Sequence, residues 1–162
     1  MIFRYWYYIL LFLSMFSISS ALIAEYFYNL QPCELCLKQR HPYYLFIILS
    51  LLVLFILPLL KNLSLLLIQF ITLYGIFYSI WHVGVENKIF VGPAGCSAGL
   101  TISSNTNELK EQILNKQVIS CDEVIWSFYG VSAASLNTLL LLFIFIINAL
   151  YIYKIYGKKE SI

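Results

Sequence analysis

Four stretches of this 162-residue chain run for roughly twenty residues with no formal charge, and nothing else in the sequence constrains the fold as strongly. They cover residues 5–24, 42–60, 63–84 and 131–153, and the only titratable nitrogen inside them is that of His82 near the end of the third. A helix needs about 20 mainly apolar residues to cross a hydrocarbon layer about 30 Å thick. Backbone N–H and C=O groups in lipid must be satisfied within the spanning segment, so each stretch is expected to be a helix. Composition agrees: 61% of residues are hydrophobic and 11% charged, whereas a soluble domain carries about 25% charged residues to face water. The expected fold class is therefore an all-α integral membrane protein. It is a four-helix bundle, one membrane domain over residues 1–162, with external loops at 25–41 and 85–130.

The first stretch follows Arg4 and ends near Ser19-Ser20-Ala21, a pattern faintly like a secretory leader. Its apolar run exceeds the ~15 residues of a leader core, so a retained helix is expected. Arg4, Lys61, Lys154, Lys158 and Lys159 flank the helices closely. Lys38, Arg40, Lys88, Lys110 and Lys116 are spread over the two longer loops. The dense set marks the cytoplasmic side, which places both termini inside and both long loops outside.

All four cysteines lie in those two loops: Cys33 and Cys36 in the first, Cys96 and Cys121 in the second. Outside the cytoplasm thiols are free to pair. The segment Pro32-Cys33-Glu34-Leu35-Cys36-Leu37-Lys38-Gln39-Arg40-His41-Pro42 is the most informative. A C-x-x-C pair closes a small ring and makes a ready oxidant. On a helix at ~100° per residue, Cys33, Cys36 and Arg40 fall within about 60° of one another. A guanidinium one turn beyond Cys36 favours thiolate, the form that attacks disulfides and gives up electrons. Pro42 either begins the second membrane helix or bends a helix that starts near Cys33.

Other uses of the C-x-x-C are weaker. A zinc site of this kind calls for a second close pair, but 24 residues separate Cys96 from Cys121, so no metal is expected. Haem attachment requires a histidine where Leu37 stands. A clip this short restrains little chain entropy. In the second loop, Gly92-Pro93-Ala94-Gly95-Cys96-Ser97 is turn-rich and leaves the sulfur accessible. Asn105 and Glu108 resemble a helix start, with Leu109, Ile113, Leu114 and Val118 on one side of a short surface helix.

These motifs resemble the disulfide bond formation protein B (DsbB) family over the whole chain. The likeness is carried by the four helices, Pro32-Cys33-Glu34-Leu35-Cys36 with Gln39-Arg40-x-Pro42, the two loop cysteines, and Tyr78-x-x-x-His82-x-Gly84-Val85-Glu86. The resemblance implies a protein dithiol:quinone oxidoreductase in a bacterial inner membrane, with its cysteines on the periplasmic side. A reduced periplasmic thioredoxin-fold (DsbA-like) partner attacks Cys96, Cys121 engages Cys33, and electrons collect on Cys36. They leave for ubiquinone or menaquinone near Arg40. The implied catalytic set is Cys33, Cys36, Cys96 and Cys121, the quinone contacts are Arg40 and His82, and no nucleic-acid partner is implied.

His82 alternatively pairs with Glu86 one turn onward. Gln69 and Asn137 read as contacts between helices, and Ser132 to Ser135 as a close-packing run. Vitamin K epoxide reductase-like quinone reductases share the general design, but their active pair sits near the last helix. A scaffold or assembly protein with structural disulfides is the alternative of a different class. A transporter would place ionisable groups inside the helices, where this chain has only His82.

Overall fold

The computed structural model describes residues 5–93, 121, 122, 124 and 126–157. Cys96, the Ala94-Gly95 turn, the helix expected from Asn105, and the cations Arg4, Lys110, Lys116, Lys158 and Lys159 lie outside the described residues. Four long helices dominate: α1 (Trp6–Phe27), α2 (Glu34–Leu51), α3 (Lys61–Glu86) and α4 (Ala133–Tyr156). With the turn that extends α2, all four are long and apolar enough to cross a membrane. The chain is a multi-pass membrane protein.

The bundle is polar-flecked inside and apolar outside, as lipid demands. Phe12, Phe70, Phe77 and Leu139 point outward, each more than 60% exposed. Leu10, Phe46, Leu65, Ile68, Leu141 and Ile144 form the centre. Ser14, Thr72, Ser79 and Asn148 are fully buried among them. Ser14 and Thr72 return their hydroxyls to the carbonyls of Leu10 and Ile68 on their own helices, so neither of these two oxygens is stranded. α3 packs most extensively on α4, and α2 lies between α1 and α3.

α2 begins at Glu34, two turns before the start expected from the apolar run. Cys33 supplies the reason: its backbone is extended and its sulfur accepts the Cys36 N–H at 3.3 Å, capping the helix. Pro42 therefore lies inside α2. Its ring meets α3 at Gly75, where a Cβ would come within 2.9 Å of the proline Cγ and 3.1 Å of Leu141 on α4. Only a residue without a side chain permits that three-helix approach.

Beyond Leu51 the backbone widens into a π-helical turn, Leu52–Ile56, and stops at Leu57, whose φ of −134° and ψ of 73° lie outside the helical region that a following proline disfavours. The 3-10 turn Pro58–Leu60 then leads into α3. The connection expected at Lys61-Asn62 thus falls earlier, and those two residues are the first of α3.

The fourth helix, by contrast, starts later than its apolar run. Val131–Ser132 forms a short strand, β2, paired antiparallel with β1 (Ser127–Phe128). Tyr129 and Gly130 turn between them with φ of 50° and 81°, the left-handed pair a tight hairpin needs. Ser132 caps α4 by accepting the Ser135 N–H at 3.1 Å, and donates its hydroxyl to Glu86 at the end of α3, 2.6 Å away. The end of α1, the start of α2, the end of α3 and the start of α4 therefore meet at one end of the bundle, and both long loops emerge there.

Candidate functional site

At that end the C-x-x-C sits against three helices. Cys33 is 2% exposed and packs with Leu35, Val85 and Cys121 in one buried cluster, bordered by Cys36, Tyr78 and Trp81. Cys33 and Cys36 are free thiols whose sulfurs share a hydrogen bond at 2.9 Å, whereas a disulfide holds its sulfurs at about 2.05 Å. Cys121 is already in a disulfide. The fold thus brings a second-loop cysteine, 85 positions on from Cys36, against the first-loop pair.

The Cys33 sulfur is unusually acidic. Its thiol is pulled from the usual range down to about 4, chiefly by the hydrogen bond it shares with Cys36. Burial opposes the shift, while His82 and the Cys36 backbone N–H add to it. The electropositive first turn of α2 acts on the same atom, because Cys33 is the cap.

Arg40 is placed differently from the sequence expectation. Its Nη1 donates to Glu25 Oε2 of α1 at 2.6 Å, and both side chains are half-buried. The pair ties α1 to α2 and offsets much of the guanidinium charge. Nothing in the spacing of the motif marks Glu25 as its partner, because the two residues are on different helices.

His82 is 5% exposed and stands between several groups at once. Its Nε2 lies 3.6 Å from Cys33 Sγ and 3.9 Å from Glu86 Oε1. Its Nδ1 receives the amide of Gln39 at 2.9 Å. Gln39 Oε1 in turn accepts from Asn137 Nδ2 at 2.9 Å, and Asn137 Oδ1 accepts the Tyr43 hydroxyl at 2.5 Å. Asn137 Nδ2 also reaches Ser79 at 3.1 Å. A continuous polar chain runs from Cys33 into the bundle, fixing which imidazole nitrogen faces the sulfur.

Sequence reasoning placed Asn137 as a contact between helices, and it is one. Its link through Gln39 to the thiol pair was not foreseen. The available signal was an amide in an apolar helix, which needs a partner in lipid. Gln69 binds Asn148 at 2.8 Å, toward the other end of the bundle. The expectation of no metal site rested on the lack of a second close cysteine pair. The fold supplies a histidine instead: Cys33, Cys36 and His82 donor atoms all lie within 4.8 Å of one another.

Fold and site define an integral membrane protein that holds a buried dithiol at one end of a four-helix bundle, backed by a histidine and beside a third cysteine. The chain belongs to the DsbB family, since the model for Disulfide bond formation protein DsbB matches residues 3–151. It is also 32% identical over 134 residues to Uncharacterized protein RP370 of Rickettsia prowazekii (strain Madrid E), covering 82% of this chain and 77% of that one. No solved structure matches it. Family membership makes this a disulfide formation protein of the membrane.

Proposed function

We propose that this protein reoxidises a DsbA-like dithiol partner and delivers the electrons to a membrane quinone. The observation that carries the reading is the packing of Cys121 against Cys33, beside Cys36 and His82. A redox relay between two loops requires sulfurs from both in one place.

The cycle balances as follows. One thiolate of the reduced partner attacks Cys96 of a Cys96–Cys121 disulfide and frees Cys121. The partner's second thiolate then releases the partner oxidised, leaving Cys96 and Cys121 as thiols. Cys121 attacks Cys33 of the Cys33–Cys36 disulfide and expels the Cys36 thiolate. Cys96 then reclaims Cys121, and the electron pair rests on Cys33 and Cys36.

The surroundings suit a quinone acceptor. Arg40 spends one of its five N–H groups on Glu25, leaving others to hold a carbonyl oxygen. Tyr78 and Trp81 stack at 6.0 Å against the cysteine cluster and offer a flat apolar wall. A quinone held there would accept the electron pair given up as the Cys33–Cys36 disulfide closes, one of its two protons coming from the Cys36 thiol and the other from solvent. His82 Nε2 faces the Cys33 thiolate and stabilises it, while Gln39 holds the ring in place. The dithiol end faces the periplasm of a bacterial inner membrane and both termini face the cytoplasm.

An anaerobic thiol count by alkylation and mass spectrometry tests the proposal. Reduced wild type mixed with quinone alone loses two free thiols as Cys33 and Cys36 pair, and Cys36→Ala loses none. Thiol loss that ignores quinone overturns the reading in favour of a scaffold with structural disulfides.

A further inference from the structure

We infer that the reduced protein has a second capability: Cys33 Sγ, Cys36 Sγ and His82 Nε2 form a capture site for a thiophilic divalent cation of the zinc class, which reversibly arrests the dithiol. Two sulfurs and one imidazole are a donor set that such ions favour. With metal–sulfur bonds of about 2.3 Å and metal–nitrogen bonds of about 2.05 Å, a tetrahedral site sets sulfur and nitrogen about 3.5 Å apart. Cys33 Sγ and His82 Nε2 are 3.6 Å apart. The two sulfurs, at 2.9 Å, must open by just under about 1 Å to reach the tetrahedral edge. Cys36, the less buried of the two, is the sulfur that moves.

The surroundings complete the argument. Metal-bound histidines are usually held through their other nitrogen, and Gln39 already holds Nδ1. For Nε2 to bind an ion, Nδ1 must carry the proton and Gln39 must accept it. The chain permits that reversal. If Gln39 and Asn137 both turn over, Nδ1–H donates to Gln39 Oε1 and Gln39 Nε2 donates to Asn137 Oδ1. Asn137 Nδ2 then donates to the Tyr43 hydroxyl, so the chain from His82 to Tyr43 stays unbroken, at the cost of the donations from Gln39 Nε2 to the Tyr78 carbonyl and from Asn137 Nδ2 to Ser79. The Glu86 carboxylate, 3.9 Å from His82 Nε2, adds buried negative charge beside the site.

Coordination takes the Cys33 thiolate as it stands, displaces the proton of Cys36, which passes to the buffer, and moves no electrons. A metal-bound pair cannot close its disulfide, and a closed disulfide offers no thiolate to the ion, so capture is confined to the reduced state. Binding is read without quinone or partner protein, so this test and that of the electron route succeed or fail separately.

Full-length protein in detergent, fully reduced and anaerobic, would be titrated with Co2+ while thiolate-to-cobalt charge-transfer absorption is followed. Absorption should saturate at one Co2+ per chain, be displaced by Zn2+, and vanish when the same sample is reoxidised. It should survive Cys121→Ser and weaken at least about tenfold in His82→Ala. The reoxidised sample needs no substitution, so a folding defect in one variant does not blunt the test. Absence of the band at equimolar Co2+ overturns the inference. So does a band kept by His82→Ala and lost in Cys121→Ser, which makes Cys121 the third donor.

Discussion

At Cys33 a sulfur takes the place that a serine or aspartate oxygen fills at most helix N-termini. The capping contact adds to an acidity set chiefly by the Cys36 thiol, because the unpaired N–H groups of the first turn favour a negative atom. An ordinary thiol loses about tenfold of its thiolate for each pH unit below about 8.5. A thiol titrating at about 4 remains thiolate until the pH nears that value. Thiolate absorbance of the metal-free, reduced protein should therefore persist from neutral pH to about pH 5 and fall as pH drops through about 4. Cys33→Ser should abolish that acidic step. A single step in the ordinary thiol range in wild type would contradict the geometry. The residues around Cys33 were unequally legible. The cysteines and His82 stand out in the sequence, whereas Glu25 and Asn137 reach the site only because α1 and α4 run beside α2.

Among the elements, α2 departs furthest from its apolar pattern. The run from residue 42 reads as the whole span, yet capping by Cys33 moves the start back to Glu34 and takes the C-x-x-C into the first turn. Pro42 costs α2 one backbone hydrogen bond, and its ring fills the notch above Gly75. Placing a branched side chain in that notch forces proline and Leu141 apart. Gly75→Val should lower stability by about 1–3 kcal/mol, the usual cost of overpacking a tight contact. Thermal unfolding in detergent checks this, and an unchanged midpoint would mean that the three helices do not meet there as described. The limits of α3 and α4 were nearly readable from composition. The hairpin before α4 was not, since two-residue strands leave no usable periodicity.

At the scale of the whole molecule, two polar knots hold the bundle, one at each end. The site end has the chain from Tyr43 through Asn137 and Gln39 to His82. Toward the other end Asn148, fully buried, accepts the Trp6 indole N–H at 3.1 Å and donates to Leu65 O and Gln69 Oε1. Hydrogen bonds between membrane helices average about 0.6 kcal/mol and reach about 1.7. Asn148→Leu removes three and leaves Trp6 and Gln69 without these partners, so a loss of about 2 kcal/mol is expected. Asn148 lies eleven residues beyond Asn137 on α4, about 16 Å along the axis. The acidic step of Cys33 should therefore be unmoved in this variant while the unfolding temperature falls. A shift in both would show that the two knots are coupled through the bundle.

The number of helices, their membrane character and the placement of every cysteine outside the apolar runs follow from composition and spacing alone. Lipid admits few backbone solutions, and a run of about twenty uncharged residues nearly forces one. Spacing along the chain does not report which side chains meet across helices. That Arg40 pairs with Glu25, that His82 faces Cys33, and that Cys121 packs beside them depend on how the helices rotate and lean on one another. Close contacts such as Pro42 on Gly75 set those rotations, and they arise only once the bundle has assembled.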